Sequence, residues 1–81
     1  MTEVVLYTRP GCHLCEEARV ILEHVRAETP FALCERDISA DDALHARYLE
    51  RIPVVTIDGE EAFELEVDEA VLRERLVRVQ R

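Results

Sequence analysis

Hydrophobic and polar positions follow two different periods along this chain, and the changes of period mark out its elements. Val4 to Thr8 is a continuous β-branched and aromatic run, the pattern of a strand covered on both faces. Arg9-Pro10-Gly11 breaks it. From Leu14 the apolar positions Leu14, Ala18, Ile21, Leu22 and Val25 recur at helical spacing, and Thr29-Pro30 ends them. Phe31 to Ile38 reads as a second strand, less apolar and therefore expected near a sheet edge. Ser39 followed by Asp42 resembles a capping box, opening a short helix that carries Leu44, Tyr48 and Leu49. Ile52 to Ile57 predicts a third strand, with Pro53 near its beginning, where a missing N–H is tolerated. Asp58-Gly59 is a two-residue hairpin signal, so the next strand should run antiparallel to the third. In it Phe63, Leu65 and Val67 alternate with Ala62, Glu64 and Glu66, which predicts one buried face and one charged face. Asp68 is placed to cap a last helix whose Val71, Leu72, Leu76 and Val79 face the core. The order βαβ-α-ββ-α implies an α/β fold, a four-stranded mixed sheet with helices on both faces and a right-handed parallel crossover.

Length and composition narrow the function classes. With 81 residues, residues 1–81 are expected to form a single domain. The 48% hydrophobic and 35% charged fractions describe a globular chain rather than a disordered one. No apolar run approaches the roughly 18 residues needed to cross a bilayer, so no membrane partner is expected. Met1-Thr2-Glu3 shows no basic segment leading into a long apolar stretch, which points to a cytoplasmic protein. Cysteines there are normally reduced, and a close pair serves catalysis or metal binding more often than structure. The net charge of −8 argues against nucleic acid, whose phosphates need clustered cations. A monomer is expected.

The chemistry concentrates at Cys12-His13-Leu14-Cys15, between the first strand and the first helix. A helix start leaves backbone N–H groups unpaired and carries partial positive charge, so a thiol there ionises more easily. The second sulfur, one turn on, is within reach of whatever bonds to the first. Arg9 and a protonated His13 favour the Cys12 thiolate, whereas Glu16 and Glu17 in the same turn oppose it. Cys12 is then the nucleophile and Cys15 the resolving thiol. Pro53, opening its strand, would leave the backbone of Ile52 free to pair with an extended substrate. Zinc is not expected: structural sites use four ligands, usually two pairs, and His24, His45 and Cys34 are scattered over other elements. Cys34 is expected to pack, free cysteine being among the most buried residue types. The acidic stretch Asp58-Gly59-Glu60-Glu61, with Glu64 and Glu66, reads as a solvated hairpin whose charge keeps an exposed strand edge from pairing with another chain.

This order of elements, with Cys-x-x-Cys after the first strand and a proline opening the third, resembles the thioredoxin fold. The run Tyr7-Thr8-Arg9-Pro10-Gly11-Cys12-His13-Leu14-Cys15 and the distant Ile52-Pro53-Val54-Val55 are most similar to the glutaredoxins, over almost the whole chain. The resemblance implies a thiol–disulfide oxidoreductase acting on protein or low-molecular-weight disulfides or glutathione mixed disulfides. The resemblance also implies no tightly bound cofactor, with glutathione or a thioredoxin-type reductase expected to supply the electrons. It further implies a cis-proline at Pro53 and a carboxylate contact for Arg9, and Arg9, His13, Ile52, Pro53 and Asp68 form the expected substrate-binding set around the catalytic Cys12 and Cys15. Two departures bear on glutathione. His13-Leu14 replaces the family's Pro-Tyr, and Glu64-Leu65-Glu66-Val67 stands where the family has a Gly-Gly pair, bringing carboxylates that repel an anionic tripeptide. Arg51 could supply a compensating charge or be a plain surface arginine. The alternative from a different class is a binding module of the same fold with little turnover, docking a larger redox protein or holding an iron–sulfur cluster.

Overall fold

The apolar run at the N-terminus becomes the central strand of a four-stranded sheet in the computed structural model, which describes residues 1–80. The elements are β1 (Glu3–Thr8), α1 (His13–Glu28), β2 (Ala32–Asp37), a single 3₁₀ turn (Ile38–Ala40), α2 (Asp42–Tyr48), β3 (Val54–Ile57), β4 (Glu60–Glu64) and α3 (Glu69–Val79). The sheet order is β2-β1-β3-β4. β1 pairs parallel with β2 and antiparallel with β3, and β3 pairs antiparallel with β4, so the sheet is mixed as the pattern implies.

Side chains of successive strand residues point to opposite faces, and this sorts the core into two clusters. On one face Val4 and Leu6 of β1 and Val55 and Ile57 of β3 meet Ala18, Leu22 and Val25 of α1 and Leu72 and Leu76 of α3. On the other, Val54 packs with Ile38 and Tyr48, and Tyr7, Leu44, Leu49 and Ile52 close around them. Helices therefore cover both faces, unequally. Tyr7 and Tyr48 stack with ring centroids 4.7 Å apart, a spacing favourable for aromatic pairs. Burial pushes the Tyr48 phenol above its ordinary pKa.

Five expectations need correction. Of the four α3 residues expected to face the core, only Leu72 and Leu76 are buried, whereas Val71 and Val79 are exposed on the solvent side of the helix. The buried stripe of α1 is Cys15, Ala18, Leu22 and Val25, so the helix is rotated slightly from the expected phase and Leu14 is left 47% exposed. Cys34 is exposed, not packed. It stands opposite Val5, on the sheet face where no β2 residue joins the smaller cluster, because the seven-residue α2 does not extend that far. The short helix is capped by Asp41, whose Oδ1 accepts from the N–H groups of Ala43 and Leu44, while Ser39 lies in the preceding 3₁₀ turn. Finally, β4 does not continue alternating to Val67. A bulge at Ala62 shifts its register against β3, and the strand ends at Glu64. The Asp58-Gly59 hairpin forms as expected, with φ of +49° and +87° at the two turn residues.

Candidate active site

Gly11 turns the chain out of β1 with φ +78°, a conformation that costs glycine nothing and other residues much. A Cβ there would meet no atom within 4 Å, so backbone conformation and not space calls for glycine. The next residue, Cys12, is the N-cap of α1 in an extended conformation, and its Sγ accepts a hydrogen bond from the Cys15 N–H at 3.2 Å. Serine or aspartate usually fills this role with oxygen; here sulfur satisfies one of the orphan donors of the first turn. Cys12 and Cys15 are joined as a disulfide with Cα atoms 5.2 Å apart. Their exposures differ: Cys12 is half-buried, whereas Cys15 is 1% exposed.

The expected binding residues divide into two groups. Arg9 is exposed immediately before the dithiol turn, and its carbonyl accepts from the Cys12 N–H at 3.4 Å. His13 is exposed, with Nε2 3.8 Å from the Glu17 carboxylate on its own helix. Ile52 and Pro53 reach the same end of the sheet through pairing: Val54 stands opposite Tyr7, which places Pro53 beside the point where β1 gives way to the dithiol. The Ile52–Pro53 bond is cis. The backbone of Ile52 is not wholly free, because its N–H donates to the Tyr48 carbonyl at 3.0 Å. Among the described residues its carbonyl accepts no backbone hydrogen bond. Asp68 caps α3, its Oδ1 accepting from the Val71 N–H at 3.1 Å. The head of α3 lies against the second half of α1, where Glu69 stands 4.0 Å from His24, so Asp68 acts here as a helix cap and no hydrogen bond joins it to the dithiol turn among the described residues.

Arg51, read from the sequence either as a compensating charge or as a plain surface arginine, is a partly exposed arginine held by neighbouring carboxylates. Its Nε donates to Glu64 at 2.7 Å, a terminal nitrogen donates to Glu61, and its guanidinium lies 5.4 Å from the centre of the Tyr48 ring. The hydrogen bonds to Glu64 and Glu61 raise its pKa still further above its already high value. The hairpin acids are thus partly consumed in holding Arg51 and are not simply solvated.

Sequence reasoning missed Leu65. It has φ +69° and is 49% exposed, an unusual conformation for a bulky residue. Its N–H bonds to the carbonyls of both Pro53, at 2.9 Å, and Arg51, at 3.1 Å, and the Glu66 N–H closes on the Glu64 carbonyl at 2.8 Å. This tight turn pins the chain after β4 to the loop that carries the proline. Leu65 also walls an open groove of about 440 Å³ that begins at Leu14, between the two cysteines. Among the described residues no cluster of three His, Cys, Asp or Glu side chains is arranged to hold a metal ion. No helix among them is long and apolar enough to cross a membrane.

Comparison with known proteins agrees with this geometry. A family model described as a glutaredoxin-like domain (DUF836) matches residues 3–77. The Mycobacterium tuberculosis protein Rv0508 is 33% identical, over 94% of this chain and 84% of its own. The X-ray structure of XcR50 from X. campestris superposes with a TM-score of 0.78 at 33% identity, covering 93% of this chain and 96% of the other. A thioredoxin from Halobacterium salinarum, at 22% identity, superposes with a TM-score of 0.70 over 95% of this chain and 73% of its own, a likeness of fold.

Proposed function

This chain belongs to the glutaredoxin-like domain family (DUF836), and from that premise and the geometry of its dithiol we propose that it is a thiol–disulfide oxidoreductase of the cytoplasm. One observation carries the reading: half-buried Cys12 caps a helix with its sulfur, which accepts from the Cys15 N–H, while its disulfide partner Cys15 is fully buried. Once the disulfide is reduced, the same amide and the aligned peptide dipoles of α1 stabilise a thiolate at Cys12. Only this sulfur is reachable by a bulky disulfide. Its attack forms a mixed disulfide and expels one substrate thiolate. Cys15, whose Cα is 5.2 Å away, then attacks the Cys12 sulfur, expels the second substrate thiolate and restores the intramolecular bond. Two electrons pass from the dithiol to the substrate.

Arg9 adds positive charge beside the nucleophile, and the carbonyl of Ile52 offers a hydrogen-bond acceptor to an extended substrate. Alkylation of the reduced protein across pH should show a reactive thiol titrating well below the value near 8.5 of an ordinary cysteine. Cys12→Ser should abolish disulfide reduction, and Cys15→Ser should accumulate the mixed disulfide, seen as an adduct mass. Reduction by the Cys12→Ser protein at the wild-type rate would remove the mechanism altogether.

A further inference from the structure

The groove that begins at Leu14, between the two cysteines in the chain, is lined mostly by apolar side chains with two glutamates among them. On one side stand Leu14 and Ile21 of α1, and on the other Leu65 and Val67. Leu14 lies between the two cysteines, and the Leu65 turn is tied by two hydrogen bonds to the carbonyls of Arg51 and Pro53. One wall of the groove is thus next in the chain to both cysteines, and the other is hydrogen-bonded to the loop that carries Pro53. The two glutamates are Glu17 and Glu66, in a chain of net charge −8. Leu65 is held in a left-handed conformation that glycine would adopt freely, so the backbone bears strain to present a large apolar side chain at this point.

We propose that this groove selects the substrate: it takes an apolar side chain adjacent to a basic one, on an extended segment of a protein disulfide. The inference rests on the oxidoreductase reading above and adds the class of disulfide served. The apolar side chain of the segment fills the space between Leu14 and Leu65, and its cationic neighbour meets Glu17 and Glu66. The same carboxylates disfavour anionic thiol compounds at this position. The chemistry is the exchange already described, in which the dithiol is oxidised and the two sulfurs of the substrate leave as thiolates.

Single-turnover exchange by the prereduced protein, freed of reductant, tests this with three disulfides. Two are peptides with the same disulfide loop, one flanked by leucine-arginine and one by leucine-glutamate; the third is the small neutral 2-hydroxyethyl disulfide. The basic peptide should react roughly three- to tenfold faster than the acidic one at low salt, with the ratio shrinking as salt rises. Glu17→Gln with Glu66→Gln should bring that ratio close to one, and Glu66→Gln alone should lower it while leaving the neutral disulfide's rate unchanged. Leu65→Gly should slow both peptides but not the neutral disulfide. Equal peptide rates, or a faster acidic peptide, would overturn the groove's role while the neutral disulfide still reported a working dithiol. A Leu65→Gly effect equal on all three disulfides would also overturn it, placing the effect in the dithiol or the fold. Absence of exchange with every disulfide, the neutral one included, would instead remove the oxidoreductase reading and this inference with it.

Discussion

At Leu65 two demands oppose each other: the turn after β4 needs a positive φ, +69°, and the residue supplied is leucine. The left-handed region costs an L-residue with a branched or long side chain about 1–2 kcal/mol. The side chain recovers only part of that by burial, since it is 49% exposed. Leu65→Gly should therefore leave global stability within about 1 kcal/mol of wild type. By contrast Leu72→Ala, at a fully buried position between α3 and the sheet, should cost about 2–5 kcal/mol. Urea unfolding midpoints of the two variants give the comparison, and a loss at Leu65→Gly as large as that at Leu72→Ala would show that Leu65 is part of the core. Nothing in the sequence marks Leu65 as left-handed. The other positive φ values fall at Gly11 and at Asp58-Gly59, residues whose chemistry announces a turn. The pairing of Cys12 with Cys15 was legible for a similar reason, since their spacing and the break before them are local facts. The difference in their exposure was not, because it depends on the rotation of α1 over the sheet.

Among the elements, those set by local chemistry match the sequence closely, and those set by a neighbour depart from it. The hairpin forms where Asp58-Gly59 calls for it, but the bulge at Ala62 arises in the pairing of β4 with β3, which no single strand records. β2 is an edge strand as its thinner apolar content suggests, yet Cys34 lies exposed because coverage of its face depends on the short α2. The start of α2 shows the limits of motif reading most directly. Ser39 and Asp42 satisfy a capping pattern, but two capping residues compete, and Asp41 makes the bonds. Ser39 instead donates its hydroxyl and its N–H to Asp37, which holds the Asp37 carboxyl below its usual pKa. Asp41→Ala should cost about 1 kcal/mol, within the 0.5–2 kcal/mol span of lost N-caps. Ser39→Ala should leave the helix cap intact and cost less. Equal losses in chemical denaturation would mean that the 3₁₀ turn and α2 are stabilised as one capped unit.

Across the whole molecule, the larger core depends on α1 and α3 lying side by side on one face, and charged groups bridge the two helices at their solvent side. Arg73 of α3 donates to both carboxylate oxygens of Glu28 on α1, at 2.9 and 3.2 Å, and also pairs with Glu69 at 2.7 Å. His24 stands 3.7 Å from Glu28 and 4.0 Å from Glu69. The hydrogen bond from Arg73 is the main reason the Glu28 carboxyl is held below its ordinary pKa, and the Arg73 pKa rises in turn. The direction of the resulting pH dependence follows. A carboxyl whose folded pKa is depressed contributes stability that is fully present above its unfolded value, near 4.3 for glutamate, and is lost as pH falls through the lower folded value. In Glu28→Gln this contribution is absent at every pH, so the variant should be less stable than wild type at neutral pH and the two should converge in acid. Added salt should narrow the neutral-pH gap, because the pair is exposed and screened. Thermal unfolding from pH 7 to pH 3, at low and high ionic strength, measures both effects. A gap that stayed constant through the acid range would mean that Glu28→Gln acts through helix packing and not through the charge bridging α1 and α3. The long reach of this bridge, 45 residues along the chain from Glu28 to Arg73, also explains why the acidic composition could be read at once while the partner of each acid could not.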